Sequence, residues 1–249
     1  RTSGKLDFWK EPLRKEFEGI LERKTWTIVE RKEADGTQVI TTRPVLTTKY
    51  DAEMNPTIKK ARIVAHGHKQ VYGVNYLESS SFPVRIENIR TLLSVCAAKQ
   101  WHVKQIDINQ AYLQADIDVP IFIELPDVFN DIMNTEIDTE RNVCRLNKSL
   151  YGLKQAGKCW SDEYSLFFVN DLGLTQSKME PGIFFNDDMI LAIYVDDIVI
   201  GSVDDGHITR FIDAINEKYG CKHPSHFTLL GIRTVINETA IDLDPVSYT

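Results

Sequence analysis

The stretch that decides the fold is Met189-Ile190-Leu191-Ala192-Ile193-Tyr194-Val195-Asp196-Asp197-Ile198-Val199-Ile200-Gly201. Two apolar segments rich in β-branched residues flank a pair of adjacent aspartates. This pattern predicts two buried strands joined by a tight turn at Asp196-Asp197. Buried charges are costly unless they are paired or bind a metal ion. The pair therefore indicates a carboxylate site in a cleft, and a solvated Asp-Asp turn is the simpler alternative.

A third aspartate ends another apolar segment, Gln105-Ile106-Asp107-Ile108. We expect a strand over Val103–Ile108 and a short helix over 109–113, which places Asp107 between them. A helix N-cap is the structural alternative for Asp107 taken alone. Combined with Asp196 and Asp197, it completes a set of hard oxygen ligands that Mg²⁺ prefers. Such a set suits two metal ions about 3.5–4 Å apart that serve phosphoryl transfer.

Helical and strand patterns intermix along the rest of the chain. Leu13, Phe17, Ile20 and Leu21 fall on one face of a predicted helix over 11–24. Residues 38–49 and 58–66 predict a long basic hairpin, in which Pro44 favours an edge or bulged strand. The remaining predictions are helices over 86–99, 156–170 and 207–219, strands over 183–186 and 189–201, a hairpin over 227–244, and a loop over 126–142. An α+β fold is therefore predicted rather than a doubly wound parallel sheet.

Charge is unevenly distributed over the 249 residues, whose formal net charge is -7. Residues 1–105 hold 19 basic and 12 acidic residues, a net +7, whereas residues 106–249 hold 10 and 24, a net -14. This asymmetry predicts one half that faces anions and one half that carries carboxylates for another purpose. The hydrophobic fraction of 43% excludes a disordered acidic tail. The strongest apolar run, Met189–Val195, is far shorter than a membrane helix requires.

The cysteines follow no metal-binding or disulfide pattern. Cys96, Cys144, Cys159 and Cys221 are scattered and contain no C-x-x-C pair. We expect reduced, packed thiols. Cys221, His223 and His226 leave a zinc site as an alternative, although no fourth ligand stands nearby.

Four blocks resemble one polymerase family. Tyr194-Val195-Asp196-Asp197 resembles the Y-x-D-D signature of reverse transcriptases, and residues 147–156 (N-K-S-L-Y-G-L-K-Q-A) closely resemble a block of copia-type LTR retrotransposon polymerases. Residues 60–65 (K-A-R-I-V-A) resemble the fingers strand of these polymerases, and Lys24-Thr25-Trp26 resembles the T-W motif after their first helix. The blocks stand in the family's order and cover the chain from about Phe8 to Asp244.

The resemblance implies a right-hand polymerase with an antiparallel palm sheet backed by helices. It places the fingers at 1–82 and 116–152, the palm at 83–115 and 153–244, and the start of a thumb at 245–249. It implies an RNA-dependent and DNA-dependent DNA polymerase, a nucleotidyltransferase that uses Mg²⁺ and for which Mn²⁺ is a substitute. The chain is then expected to be a piece of a longer polyprotein.

The resemblance also implies roles for individual residues. Asp107, Asp196 and Asp197 match the catalytic metal ligands, and Tyr112 matches the aromatic residue that excludes a 2′-hydroxyl. The dNTP site is expected to include a set of fingers and pocket residues, namely Arg62, Lys60 or Lys49, Gly152 and Gln155. Leu230-Gly231 resembles the start of the primer grip.

The expected partners are an RNA template, a DNA primer, dNTPs and the remaining polyprotein domains (thumb, RNase H and integrase), with no membrane. The expected location is cytoplasmic, in virus-like particles, with nuclear entry of the product complex. Two rival functions stay open: a non-catalytic relative that binds nucleic acid or protein as a scaffold, and an aspartate-cluster metal nuclease or phosphatase. The second rival needs neither Tyr112 nor the 147–156 block.

Overall fold

A computed structural model describes residues 7–50, 55–224, 227–229, 232–236 and 241–245. Its α-helices are α1 (Lys10–Glu22), α2 (Ile86–Lys99), α3 (Phe129–Met133), α4 (Ala156–Leu166) and α5 (Asp205–Lys218). Its strands are β1 (Trp26–Glu30), β2 (Val39–Ile40), β3 (Thr42–Tyr50), β4 (Pro56–Ala65), β5 (His102–Ile108), β6 (Phe122–Ile123), β7 (Asn142–Leu146), β8 (Thr175–Gln176), β9 (Ile183–Phe185), β10 (Met189–Tyr194), β11 (Asp197–Ser202), β12 (Cys221–Lys222), β13 (Phe227–Leu229), β14 (Ile232–Ile236) and β15 (Ile241–Pro245). The predicted α+β class is confirmed. Within these ranges, every helix is too short or too polar to cross a bilayer.

The chain divides into two compact units, each assembled from two separate segments. Unit 1 comprises Arg1–Ser80 and Tyr112–Trp160, and unit 2 comprises Ser81–Ala111 and Ser161–Thr249. The fingers and palm boundaries implied by the resemblance stay a prediction.

Unit 1 is built around α1. Leu13, Phe17 and Ile20 are buried in a core that also contains Ile63 of β4. The spacing of three and four residues places these α1 side chains on one helix face. Leu21 was expected on the same face but is 40% exposed, because it lies one position beyond the buried stripe. The unit also contains a four-stranded sheet of order β1-β7-β6-β2 and the β3–β4 hairpin.

Helix α3 lies inside the 126–142 stretch that was predicted to be a loop. That prediction was wrong for 129–133, because Phe129 and Ile132 are three residues apart and both are buried in the core of unit 1. The ring of Phe129 packs edge-on against Phe17, with ring centroids 4.9 Å apart. Two apolar residues thus fix a helical turn within a polar segment.

Unit 2 is organised by a six-stranded sheet of order β12-β5-β11-β10-β9-β8, in which all neighbours run antiparallel. Helix α2 packs on one face, where its Cys96 shares a core cluster with Ala192 and Val199. On the other face, an aromatic cluster joins Phe184 of β9 to residues of the helical segments, and its ring centroids lie 5.1 Å (Phe168–Phe184) and 5.6 Å (Phe168–Phe211) apart. Both faces of the central strands are therefore buried, as their uniformly apolar sequence predicts.

Candidate active site

Two aspartates face each other at the end of the central strands of unit 2. In the β5–β11 ladder, Asp107 lies directly opposite Asp197. Residues opposite each other in an antiparallel pair share one face, with Cβ atoms about 4.5–5.5 Å apart. Both side chains are half-buried, and Asp197 Oδ1 accepts a hydrogen bond of 2.8 Å from Gln105 Nε2. Like charges in this position repel, so the arrangement favours a cation between the carboxylates.

The third aspartate lies in the turn itself. Tyr194 pairs with Asp197, so the turn residues are Val195 and Asp196 rather than the predicted pair Asp196-Asp197. Val195 has φ +59°, a conformation that β-branched residues rarely adopt and that costs about 1–2 kcal/mol. The Asp196 carbonyl accepts a hydrogen bond of 2.7 Å from the Ile108 N–H, which ties the strained turn to the end of β5. Such strain persists only where the surroundings fix the backbone.

The facing pair fits a divalent cation, although it is not a complete ligand set. Its hard carboxylate oxygens are those that Mg²⁺ prefers. In the described ranges, no group of three or more His, Cys, Asp or Glu side chains is arranged to hold a metal ion. The structure places Asp107 and Asp197 opposite each other and Asp196 beside them in the turn, and the role of Asp196 as a third ligand stays a prediction.

A cation and a thiol flank the same strand. Lys222 of β12 lies opposite Asp107 on the side away from β11. Its neighbour Cys221 has a raised pKa, first because of burial and then because of the charges of Asp107 and Asp213. His226 of the zinc alternative lies outside the described residues.

The β3–β4 hairpin of unit 1 carries most of its cations on one face. Arg62 lies opposite Val45, Lys60 opposite Thr47 and Lys49 opposite Ile58, so alternation along both strands places these three cations on the same side. Lys60 and Lys49 are exposed and Arg62 is half-buried. The other side carries Ile63, which is buried against α1. One face of the hairpin thus packs on the core and the other presents positive charge.

On this cationic face, Arg62 packs against the first of two neighbouring tyrosine rings. Its guanidinium carbon lies 5.2 Å from the centroid of the Tyr151 ring, which in turn lies 5.6 Å from the ring of Tyr112. The Arg62 Nε is buried and has no hydrogen-bond partner in the described part of the chain. A planar guanidinium with an unused donor suits recognition of phosphate.

A glycine turn holds the stack against β4. Gly152 has φ +87°, and a Cβ built there would lie 2.3 Å from the Ala65 carbonyl oxygen. The Ala65 N–H donates a hydrogen bond of 2.8 Å to the Tyr151 carbonyl. Position 152 therefore requires glycine both for its backbone angle and for its space.

Gln155 lies beneath this surface. Its side chain is fully buried, its Oε1 accepts a hydrogen bond of 2.8 Å from Gln70 Nε2, and its own Nε2 donates one of 2.8 Å to the Asn75 carbonyl. These contacts support the loop that follows β4. Its assignment to the nucleotide pocket stays a prediction.

The predicted primer-grip residues Leu230 and Gly231 lie outside the described residues, as do residues 246–249 of the predicted thumb segment. The neighbouring strands β13, β14 and β15 form an antiparallel sheet.

A family model described as reverse transcriptase (RNA-dependent DNA polymerase) matches residues 23–249. The chain belongs to this reverse transcriptase family. Similar proteins include the retrovirus-related Pol polyprotein from transposon RE2 of Arabidopsis thaliana, with 28% identity over 98% of this chain and 17% of the relative. That from transposon TNT 1-94 of Nicotiana tabacum is 30% identical over 92% and 17%. The Ty1-BL Gag-Pol polyprotein of Saccharomyces cerevisiae is 31% identical over 85% and 12%.

These matches confirm the resemblance to copia-type polymerases predicted from the sequence. The chain spans less than a fifth of the length of these curated relatives.

Sequence reasoning missed Tyr151, Gln105 and Lys222 in this reverse transcriptase chain. Tyr151 stands inside the 147–156 block, so the block pointed to the correct segment but not to this ring. Gln105 and Lys222 enter the site through strand register, which no local pattern encodes.

Proposed function

We propose that the chain is the fingers–palm core of a copia-type reverse transcriptase, a DNA polymerase that copies RNA and DNA templates. In this proposal unit 1 corresponds to the fingers and unit 2 to the palm. The observation that carries the proposal is the Asp107–Asp197 pair beside the strained Tyr194–Asp197 turn. In a chain of the reverse transcriptase family, carboxylates at this turn are best explained as ligands for metal-assisted nucleotidyl transfer.

The carboxylates and the cations have separate tasks. Asp107, Asp196 and Asp197 would hold Mg²⁺, or Mn²⁺ in its place, and the bound metal supplies positive charge for the attacking primer 3′-oxygen and the leaving pyrophosphate. Gln105 fixes Asp197 through its hydrogen bond, so that this carboxylate is oriented before any ligand arrives. The backbone of Asp196 is anchored by the hydrogen bond that its carbonyl accepts from the Ile108 N–H.

The unit 1 groups recognise the nucleotide. Arg62 offers its guanidinium to a phosphate oxygen, and Lys60 or Lys49 on the same hairpin face adds a cation for the triphosphate. Tyr112 excludes a 2′-hydroxyl by its bulk, since Tyr151 packs against its ring and limits its movement. These roles explain why the hairpin concentrates positive charge on the face away from the core.

The partners and the location follow from the same proposal. The template is RNA or DNA, the primer is DNA, and the dNTP supplies the nucleotide. We propose that thumb, RNase H and integrase domains act with this chain in a longer polyprotein, since its relatives are Pol polyproteins. Assembly in cytoplasmic virus-like particles, with nuclear entry of the product complex, belongs to this proposal.

Primer extension tests the proposal directly. A longer protein that contains the chain should extend a DNA primer on a homopolymer RNA template with Mg²⁺ and dNTPs, and the chain alone should show weak extension or none. Asp196→Asn should abolish extension and leave the circular dichroism spectrum unchanged, because a neutral amide is a poor ligand for a hard cation. Asp187→Asn is a matched control, since Asp187 is an exposed turn carboxylate at the opposite end of β10.

Each other outcome has a definite meaning. Extension by Asp196→Asn at the wild-type rate would refute the assignment of the carboxylates. Binding of primer–template by the longer protein without any extension would identify the non-catalytic scaffold instead. Cleavage of labelled RNA with Mg²⁺ and no dNTP would identify a nuclease.

A further inference from the structure

Glu16 of α1 is a buried carboxylate that the proposed chemistry does not use. In the described ranges, the buried carboxylates are Glu16 and Glu180, which are 6% and 8% exposed. Glu180 is explained by its hydrogen bonds from Arg85 Nε and Asn88 Nδ2. Glu16 Oε1 instead accepts a hydrogen bond of 3.2 Å from the backbone N–H of Ile63 in β4. Burying a carboxylate is costly unless its contacts offset that cost, and this bond to the backbone of β4 is one such contact.

The Glu16 carboxylate provides a hydrogen-bond acceptor for a backbone N–H at the outer edge of β4. Strands β3 and β4 form a two-stranded sheet, so among the described residues β4 has no second strand neighbour there. Ile63 lies opposite Pro44, which has no N–H to exchange, and the N–H of Ile63 points outward to Glu16. The next outward N–H, that of Ala65, is bound by the Tyr151 carbonyl at 2.8 Å. Two fixed points thus hold the outer edge of β4.

Arg62 is adjacent to the first of these points. Its side chain projects to the face opposite that of Ile63, where it reaches the Tyr151 ring and keeps its buried Nε unpaired. Arg62 is therefore held by the strand backbone and the ring rather than by a hydrogen bond at Nε. Any movement of β4 at Ile63 carries the guanidinium with it.

We propose that Glu16 is a positioning residue for Arg62: by accepting the Ile63 N–H it fixes strand β4, so that the guanidinium meets the triphosphate of an incoming dNTP already oriented. This inference rests on the proposed function, since it deepens the role of the same nucleotide site. Preorganisation raises affinity because the cost of ordering is met before binding.

The test compares two substitutions at one position. Glu16→Ala removes the acceptor, whereas Glu16→Gln keeps an oxygen that can accept the Ile63 N–H. Glu18→Ala is the matched control for charge and helix propensity, since Glu18 is exposed on the same helix. Ile20→Ala is the control for general destabilisation, since Ile20 is buried on α1 and leaves the acceptor in place.

Two measurements are made on each variant. The first is amide hydrogen exchange of Ile63 relative to Ala65. The second is the dNTP Kd on a primer–template whose primer ends in a dideoxynucleotide, which requires no chemistry. For Glu16→Ala we expect Ile63 to exchange about tenfold faster and the Kd to rise about tenfold, in line with the lower end of the cost of an unpaired buried donor. Glu16→Gln should stay within about twofold of wild type in both, because its amide oxygen makes the same bond. The kcat of Glu16→Ala, measured at saturating dNTP, should change less than its KM for dNTP.

Each failure is distinguishable. Faster exchange with an unchanged Kd would overturn the positioning role, and equal defects in Glu16→Gln and Glu16→Ala would overturn the acceptor role. A Kd raised as strongly by Ile20→Ala would assign the effect to general destabilisation and overturn the proposal. No dNTP binding by the wild-type complex would overturn the proposed function, and this inference with it, whereas equal affinity of wild type and Glu16→Ala would overturn this inference alone.

Discussion

Replacing Gly152 by alanine measures how strongly the protein's stability depends on the close approach between the turn at Gly152 and strand β4. Two costs add at this position. A side chain at φ +87° costs about 1–2 kcal/mol for the left-handed conformation. The new Cβ would also lie 2.3 Å from the Ala65 carbonyl oxygen, about 1 Å closer than the shortest ordinary C–H···O contacts.

Relief of that overlap requires the turn and the strand to separate. Separation stretches the 2.8 Å hydrogen bond from the Ala65 N–H to the Tyr151 carbonyl, whose net value is about 1 kcal/mol. Overpacking of this kind adds about 1–3 kcal/mol. Gly152→Ala should therefore lower the free energy of unfolding by about 2–5 kcal/mol.

Gly73→Ala is the matched control. Gly73 has φ +80°, and its added Cβ would meet nothing within 4 Å, so this variant should lose only about 1–2 kcal/mol. Urea titration followed by tryptophan fluorescence measures both losses, because Trp26 and Trp160 are buried in unit 1. Equal losses of unfolding free energy in Gly152→Ala and Gly73→Ala would refute the claim that contact with the Ala65 carbonyl makes position 152 intolerant of a side chain. In Gly152→Ala, the affinity for dNTP should fall as well, since Tyr151 carries the Arg62 stack.

Two further results are expected. Asp107→Asn removes the repulsion between the facing carboxylates, so thermal melts without Mg²⁺ should show that the variant is about 0.2–1 kcal/mol more stable than wild type. Added Mg²⁺ should stabilise the variant less than it stabilises wild type. Equal stabilisation of both proteins by Mg²⁺ would contradict the metal assignment. Iodoacetamide at pH 8 should label the half-exposed Cys221 before the buried thiols, because burial raises the pKa of Cys96 to about 11 and that of Cys144, beside the Glu124 charge, to about 12. At pH 8 both buried thiols stay protonated. Mass spectrometry of the native chain that found Cys144 labelled as fast as Cys221 would contradict their burial.

Local pattern was sufficient for the elements that are apolar along their whole length. The run Met189–Gly201 identified the central hairpin because strands buried on both faces require apolar residues at every position. The basic hairpin was equally visible, and its Pro44 occupies a pair position where no N–H is needed, as an edge strand allows.

The site itself depends on register and distant contacts that the sequence does not display. The turn starts at Val195 rather than Asp196, a shift of one residue that decides which aspartate faces Asp107. Local sequence disfavours this turn, because Val is a poor choice for φ +59°. The contacts of the Tyr151 ring with Arg62 and Tyr112 could not be predicted from local sequence, because both residues lie far from Tyr151 in the chain.

The discontinuous make-up of the two units has a consequence for the order in which the chain is synthesised. Trp26 of β1 pairs with Leu146 of β7, its partner 120 residues later. At about 5–20 residues per second, the ribosome needs roughly 6–24 s to deliver that partner. During this interval the apolar face of α1 and strand β1 have left the ribosome before β7 is synthesised. The first segment of unit 2, Ser81–Ala111, likewise lacks its second segment, which begins at Ser161. The nascent chain therefore holds two incomplete cores at once, and we expect chaperone binding to concentrate on the segment from Leu13 to Trp26 until residue 146 has left the exit tunnel.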